Sequence, residues 1–226
     1  MKNKQIFILI YVIIALIEIA ADLSGNFLVV YFSKPLLILS LVWHAYAVPD
    51  TRIVSKRNVF ITGLAFAWLG DVLLMIRGKD LFIPGLGSFL LMQIFYITAF
   101  QTDINQSIFS RQALIRLIPF AGLALILYLT LYPNLPGLTM KIAVGAYAIS
   151  IAAMAWTAYL RKEYVSSNSF YAVFAGAMLF MLSDSLIALN RFLIAIPFKT
   201  LWVMSTYAMA QYLIVTGFLK PKQAGN

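Results

Sequence analysis

Eight apolar runs of about twenty residues, each ended by a turn or a charged segment, take up almost the whole of this 226-residue chain. They cover roughly 5–23, 27–47, 58–76, 81–101, 113–132, 138–160, 169–189 and 198–219. A run of that length, coiled as a helix, matches the hydrocarbon thickness of a bilayer and satisfies its own backbone polar groups there. The breaks carry Ser24-Gly25-Asn26, Pro49-Asp50, Arg77-Gly78-Lys79-Asp80, residues 101–111, Pro133 to Gly137, Arg161-Lys162-Glu163 and Asn190-Arg191. The expectation is an all-α polytopic integral membrane protein, a single domain over 1–226 with eight transmembrane helices. Composition agrees: 62% of residues are hydrophobic and only 11% charged, against about 25% charged in a soluble domain. Too little polar surface is left to cover a water-soluble globule. The basic start and first apolar run do not read as a cleaved signal peptide. Glu18 interrupts the run, no small-residue cleavage site follows, and further spans come at once.

The formal net charge of +9 does not point to nucleic acid, because the basic residues sit in short loops between apolar runs. With eight spans both termini share one side. Lys2, Lys4, Arg52, Lys56, Arg57, Arg111, Arg116, Arg161, Lys162, Lys220 and Lys222 fall on that side. Lys34, Arg77, Lys79, Lys141, Arg191 and Lys199 fall on the other. Eleven against six places both termini in the cytoplasm of a multi-pass cell-membrane protein. There is no cysteine and one histidine, His44, which reads as interfacial near the end of span 2. Disulfides are excluded and a zinc site is not expected. No nucleophile elbow, phosphate loop or dinucleotide fingerprint is present, and neither a metal nor an organic cofactor is expected.

Spans 3 and 7 resemble one another. Gly63, Gly70 and Asp71 in the first match Gly176, Ser183 and Asp184 in the second, at an offset of 113 residues. Spans 4 and 8 align Gln93, Thr98 and Phe100 with Gln211, Thr216 and Phe218. The pattern suggests two four-helix repeats, 1–110 and 111–226. Because four is even, the halves would run parallel about an axis near the membrane normal.

Of eight acidic residues, Asp50, Asp80, Asp103 and Glu163 fall in loops and require no function. Glu18, Asp22, Asp71 and Asp184 fall within or at the ends of spans. An intramembrane carboxylate costs about 2.5–3.5 kcal/mol on insertion scales and faces a bundle interior or a wet cavity. Asp71 and Asp184 each lie about five residues, some 7 Å, inside the far boundary of their spans. Glu18 lies at similar depth and Asp22 at its mouth, with Lys34 entering span 2 and Asn190 and Arg191 leaving span 7 on the same side. These residues point to a polar pocket open to the non-cytoplasmic face. The plainer alternative is that the carboxylates pair with Lys34 or Arg191 and fix packing. Two carboxyls in an apolar enclosure tend to share one proton. Such a pair suits hydrolysis through an oxocarbenium-like cation, and equally suits proton-coupled transport. Gln93 and Gln211 would bond across helices, and Tyr96 and Tyr207 would orient a substrate or pack.

Several of these residues carry a resemblance. Gly70-Asp71 with the apolar residues to Met75, the Phe89, Tyr96 and Phe100 stretch, Phe180 to Leu186 around Ser183-Asp184, Lys34-Pro35, and Tyr207 with Gln211 resemble the YhhN-like lysoplasmalogenase family over most of the chain. The resemblance implies eight spans and hydrolysis of the vinyl ether bond of a lysophospholipid, to a fatty aldehyde and a glycerophospho-alcohol. It implies that Asp71 and Asp184 are catalytic, with the lipid head group near Lys34 and Arg191 and its chain between helices. One position departs: the family pattern leads to expect histidine in mid-span 4, where this chain has Gln93, which can hydrogen-bond but cannot titrate. The second reading is a proton-coupled transporter or lipid flippase built on the same carboxylates. No obviously broken helix, the better pointer to a transport site, is seen in the sequence.

Overall fold

The computed structural model describes residues 2–48 and 54–220. Eight long helices follow one another: α1 Lys2–Leu23, α2 Phe27–Ala47, α3 Val54–Met75, α4 Phe82–Gln101, α5 Arg111–Leu131, α6 Gly137–Leu160, α7 Ser167–Phe192 and α8 Lys199–Phe218. Short 3-10 turns continue α5 and α6 at Tyr132–Asn134 and Arg161–Glu163. The expected break at Pro49-Asp50, and Arg52 and Lys222 of the charge comparison, lie outside the described residues.

The other polar breaks act as helix ends. Asn26, Ser110 and Ser166 accept hydrogen bonds from the backbone N–H groups of Val29, Ala113 and Ser169, which satisfies donors that a first turn leaves open. Gly25 takes φ 72 in the tight turn between α1 and α2, a conformation that costs little without a Cβ. Pro35 and Pro119 lie inside α2 and α5, and both helices continue through them, as neighbours and water allow in membrane proteins.

Seven helices, α1 to α7, are long and apolar enough to cross a membrane by length and composition. The eighth, α8, falls short of that apolar content, and protein covers much of it. Tyr207, Ala208, Ala210, Gln211, Ile214 and Val215 are buried, and α8 packs along α7 and against α1 and α2. Large exposed apolar side chains, such as Leu16, Trp43, Ile118 and Ile149, lie on α1, α2, α5 and α6 and form the lipid-facing rim. The most extensive helix pairs are α3 with α4 and α7 with α8, and α6 joins the two through α4.

The small residues singled out in spans 3 and 7 do the same packing work. A Cβ on Gly63 would meet the Tyr96 ring at 2.8 Å, and one on Gly70 would meet the Phe89 ring at 2.8 Å, both on α4. A Cβ on Gly176 would meet Ile214 at 2.7 Å and the Ala210 carbonyl at 2.8 Å, both on α8. Ser183 donates to the carbonyl of Val203 on α8 at 3.0 Å. Close approach of backbones through small residues is how membrane helices associate.

One boundary differs from expectation. Span 7 does not stop at 189: α7 runs to Phe192. Arg191 pairs with Asp80 at 2.7 Å and lies over the Phe82 ring at 4.2 Å, while Asn190 Oδ1 accepts from the N–H of Ile196 at 3.0 Å. The polar pair read as a break is therefore stitched to its surroundings and the helix continues. Counted along the helices, Asp184 lies about 12 Å from the end of α7 and Asp71 about 6 Å from the end of α3.

The loop carboxylates also do more than expected. Asp103 is buried and accepts from Arg161 Nε at 3.0 Å. Arg161, fully buried, also donates to Ser169 Oγ at 3.1 Å and faces the rings of Phe100 and Phe218. Ser169 passes the chain on to the Gly217 carbonyl at 2.7 Å. The cluster ties α4, α6, α7 and α8 together at the end of the bundle that holds the termini. Glu163 pairs with Arg116 at 2.8 Å on the surface.

Candidate functional site

Asp71 is buried on α3, and its Oδ2 accepts a 2.6 Å hydrogen bond from the Tyr207 hydroxyl of α8. Gly70, one residue earlier, lets the edge of Phe89 approach α3 closely, and Phe89 meets Tyr207 edge-on with ring centroids 6.0 Å apart. Asp184 on α7 accepts a hydrogen bond from the Tyr147 hydroxyl of α6. The two aspartates are close enough for the charge of Asp71 to act on Asp184, and the Lys34 ammonium of α2 acts on Asp71.

Their exposure differs. Asp71 is 3% exposed, and it lines none of the three cavities described below. Asp184 is half-buried and forms wall in two of them. The first cavity, about 810 Å³, is a polar vestibule at the end of the bundle away from the termini. Its wall includes Asp22, Lys34, Arg77, Lys79, Asp80, Asn190, Arg191 and Lys199. The second, about 440 Å³, is an apolar cleft between α5, α6 and α7 with Tyr147 and Asp184 on its inner side. The third, about 50 Å³, shares Leu74, Phe82 and Ile187 with the vestibule and Val144, Tyr147, Asp184 and Ala188 with the cleft. Asp184 and Tyr147 are therefore wall common to the apolar cleft and to the small cavity, which borders the charged vestibule through Leu74, Phe82 and Ile187.

The remaining expected site residues divide. Lys34, Asp22, Asn190 and Arg191 do line the vestibule, although the Asn190 oxygen and the Arg191 guanidinium already serve Ile196 and Asp80. Tyr96 and Gln211 are bonded to each other, Oη to Oε1 at 2.8 Å, and Gln211 Nε2 contacts Met92 Sδ at 3.4 Å. They form a closed cross-helix tie rather than a free binding surface. Gln93 lies beside the Tyr147 hydroxyl, yet neither its Nε2 nor its Oε1 has a hydrogen bond of good geometry. Glu18, 1% exposed, likewise has no hydrogen-bond partner for either oxygen and sits within the fields of Lys34, Asp22 and Asp71. Buried polar groups are normally satisfied; among the described residues this amide and this carboxylate, close to the aspartates, show no hydrogen bond of good geometry. His44 stacks on Phe7 with centroids 3.8 Å apart, near the end of α2 that lies away from the vestibule.

Tyr147 was not singled out from the sequence, although a signal for it exists. It precedes Asp184 by 37 residues, the same interval by which Lys34 precedes Asp71. Each aspartate helix thus follows a helix with a polar group at the matching level. Tyr11 was also missed; its hydroxyl donates to the Ala208 carbonyl at 2.8 Å and secures α1 against α8 beside the site.

Comparison with known proteins matches residues 29–218 to the YhhN family. Human lysoplasmalogenase TMEM86A is 31% identical over 172 residues, covering 75% of this chain and 68% of that protein. A lysoplasmalogenase of Mycobacterium bovis is 28% identical over 199 residues, covering 88% and 73%. Pig lysoplasmalogenase TMEM86B is 31% identical over 181 residues, covering 80% and 71%. No solved structure matches.

Proposed function

The chain belongs to the YhhN family, and from that premise we propose that it is an intramembrane hydrolase cleaving the vinyl ether bond of lysoplasmalogen-type lysolipids. The observation that carries the reading is Asp184, hydrogen-bonded by Tyr147, on the wall shared by the apolar cleft and the small cavity that borders the charged vestibule. A vinyl ether lies at the same junction in such a lipid, between a phosphate-bearing head and a hydrocarbon tail. Relatives named lysoplasmalogenase support the reaction class.

In the proposed reaction Asp184, the aspartate on the cavity wall, donates a proton to the vinyl carbon beta to the ether oxygen. The carbon–carbon double bond supplies the electron pair, and an oxocarbenium cation results. Asp71, which receives the Tyr207 hydroxyl and lies near Lys34, places negative charge behind that cation. Water adds to the alpha carbon and returns a proton to Asp184. The hemiacetal then collapses, its hydroxyl proton passing to the leaving oxygen, to give a fatty aldehyde and a glycerophospho-alcohol. General acid–base help of this kind is worth about 10²–10⁴-fold. Lys34, with Arg77, Lys79 and Lys199 on the same wall, holds the head-group phosphate.

We also propose that the two halves are parallel four-helix repeats, which the equivalent packing of Gly63 and Gly176 supports, and that both termini face the cytoplasm of a cell membrane. The test of the function is aldehyde release from lysoplasmenylethanolamine by the purified protein. Release abolished in Asp184→Asn, in a variant that still folds, is the expected result. Movement of lipid across proteoliposomes with no aldehyde formed would replace the hydrolase with a transporter.

A further inference from the structure

We propose that the cleft between α5 and α7, floored by α6, binds the hydrocarbon chain of a single-chain lipid drawn from the leaflet opposite the chain termini. The proposal rests on the reading of the site as a lipid hydrolase and adds where the chain goes and from which side it comes.

The wall of the cleft suits an aliphatic ligand with one reactive end. It is mostly leucine, isoleucine, methionine and alanine. Its other polar side chains are already satisfied close to home. Thr130 donates to Ile126 O at 2.8 Å, Ser185 to Met181 O at 2.7 Å, and Tyr128 to Lys141 O at 3.2 Å. Only Tyr147 and Asp184 bring reactive polarity to the wall, both at its inner side. The cleft stays open because α5 packs along α6 and touches α7 only sparsely.

Continuity identifies the occupant. The cleft shares Val144, Tyr147, Asp184 and Ala188 with the small cavity, whose wall in turn includes Leu74, Phe82 and Ile187 of the vestibule. A lipid whose head lies among the vestibule cations can present its first chain bond to Asp184 only if the chain runs on into the cleft. Among the three cavities described, the cleft is the one apolar space of chain size beside Asp184, so one chain is accommodated. Position gives the leaflet. The lining residues Leu123–Leu131 end α5, and Met178–Leu189 lie in the second half of α7. Both segments are in the half of the bundle that carries the vestibule, away from the termini.

The test uses the full chain in nanodiscs and a non-hydrolysable alkyl-ether lysolipid with a diazirine at its chain end. Light should attach the probe to peptides 123–131 and 178–189, and unlabelled lysolipid should displace it. Attachment to helices other than α5, α6 and α7 overturns the site. In turnover, Ala148→Phe, which lines the cleft but not the small cavity, should lower kcat/KM for a long-chain substrate by about tenfold while leaving a short-chain one within about twofold. Equal losses, or none, also count against it, and the labelling of the unaltered chain stands if the variant does not fold. In proteoliposomes, substrate added outside should be consumed by molecules whose termini are inside; consumption by the opposite orientation overturns the leaflet assignment. Labelled cleft without aldehyde release would reject the hydrolase and keep the chain site. Aldehyde release with label elsewhere would do the reverse.

Discussion

The Tyr207 hydroxyl reaches from α8 to Asp71 on α3, donating to Oδ2 at 2.6 Å across 136 residues of sequence. That contact makes the position of α8 a condition of the site. Tyr207→Phe removes the donor with little change of shape, and kcat for aldehyde release should fall by about tenfold. Tyr96→Phe is the comparison: it breaks only the tie to Gln211. It should leave kcat within about twofold and lower thermal stability by about 1 kcal/mol.

Asp71→Asn and Asp184→Asn should each reduce kcat by at least about 10²-fold with melting temperatures close to the parent. In the parent, activity against pH should form a bell, because the reaction needs one carboxyl protonated and the other ionised. Both limbs are read from initial rates of aldehyde formation. A flat profile, or a variant with undiminished rate, removes that aspartate from the chemistry.

At Gly176 the helices α7 and α8 approach closely. Gly176→Val would drive a side chain into Ile214 and the Ala210 carbonyl. The expected cost is about 1–3 kcal/mol of stability, together with lost activity as Tyr207 is carried away from Asp71. Gly122 on α5 has nothing within 4 Å of a built Cβ. Gly122→Ala should therefore be neutral or gain up to about 1 kcal/mol through helix propensity. Detergent melting curves of the two variants make the comparison.

Arg161→Met leaves the Asp103 carboxylate without the guanidinium that now holds it at 3.0 Å in the buried cluster. Removing one partner of a buried ion pair costs about 3–5 kcal/mol. Replacing both, as Arg161→Met with Asp103→Leu, should recover much of that loss, since apolar substitutes of similar size carry no desolvation penalty. Thermal unfolding of the single and double variants measures the difference.

The lipid-bilayer habitat, the all-helical class and the interest of Asp71 and Asp184 were all legible before any coordinates. The reason is that each depends on local facts: the length of an apolar run, and the expense of placing a carboxylate inside one. The packing role of Gly63, Gly70, Gly176 and Ser183 was half legible. Their matched spacing marked them as special, and the close approach to α4 and α8 explains why they are small.

What sequence alone determined, then, is which residues must sit in the membrane interior. Which of them meet was decided by tertiary structure. Arg161 and Asp103, 58 positions apart and both read as loop residues, form a buried pair because the ends of α4, α6, α7 and α8 converge. Tyr147 matters because α6 runs beside α7 at the level of Asp184. Asp71 is sealed and Asp184 faces the cavities because α8 covers the first, whereas α5 stands off from α7 in front of the second. Hydrophobicity is a property of each segment, but access and pairing depend on which neighbours surround it, and that is settled only when the helices pack.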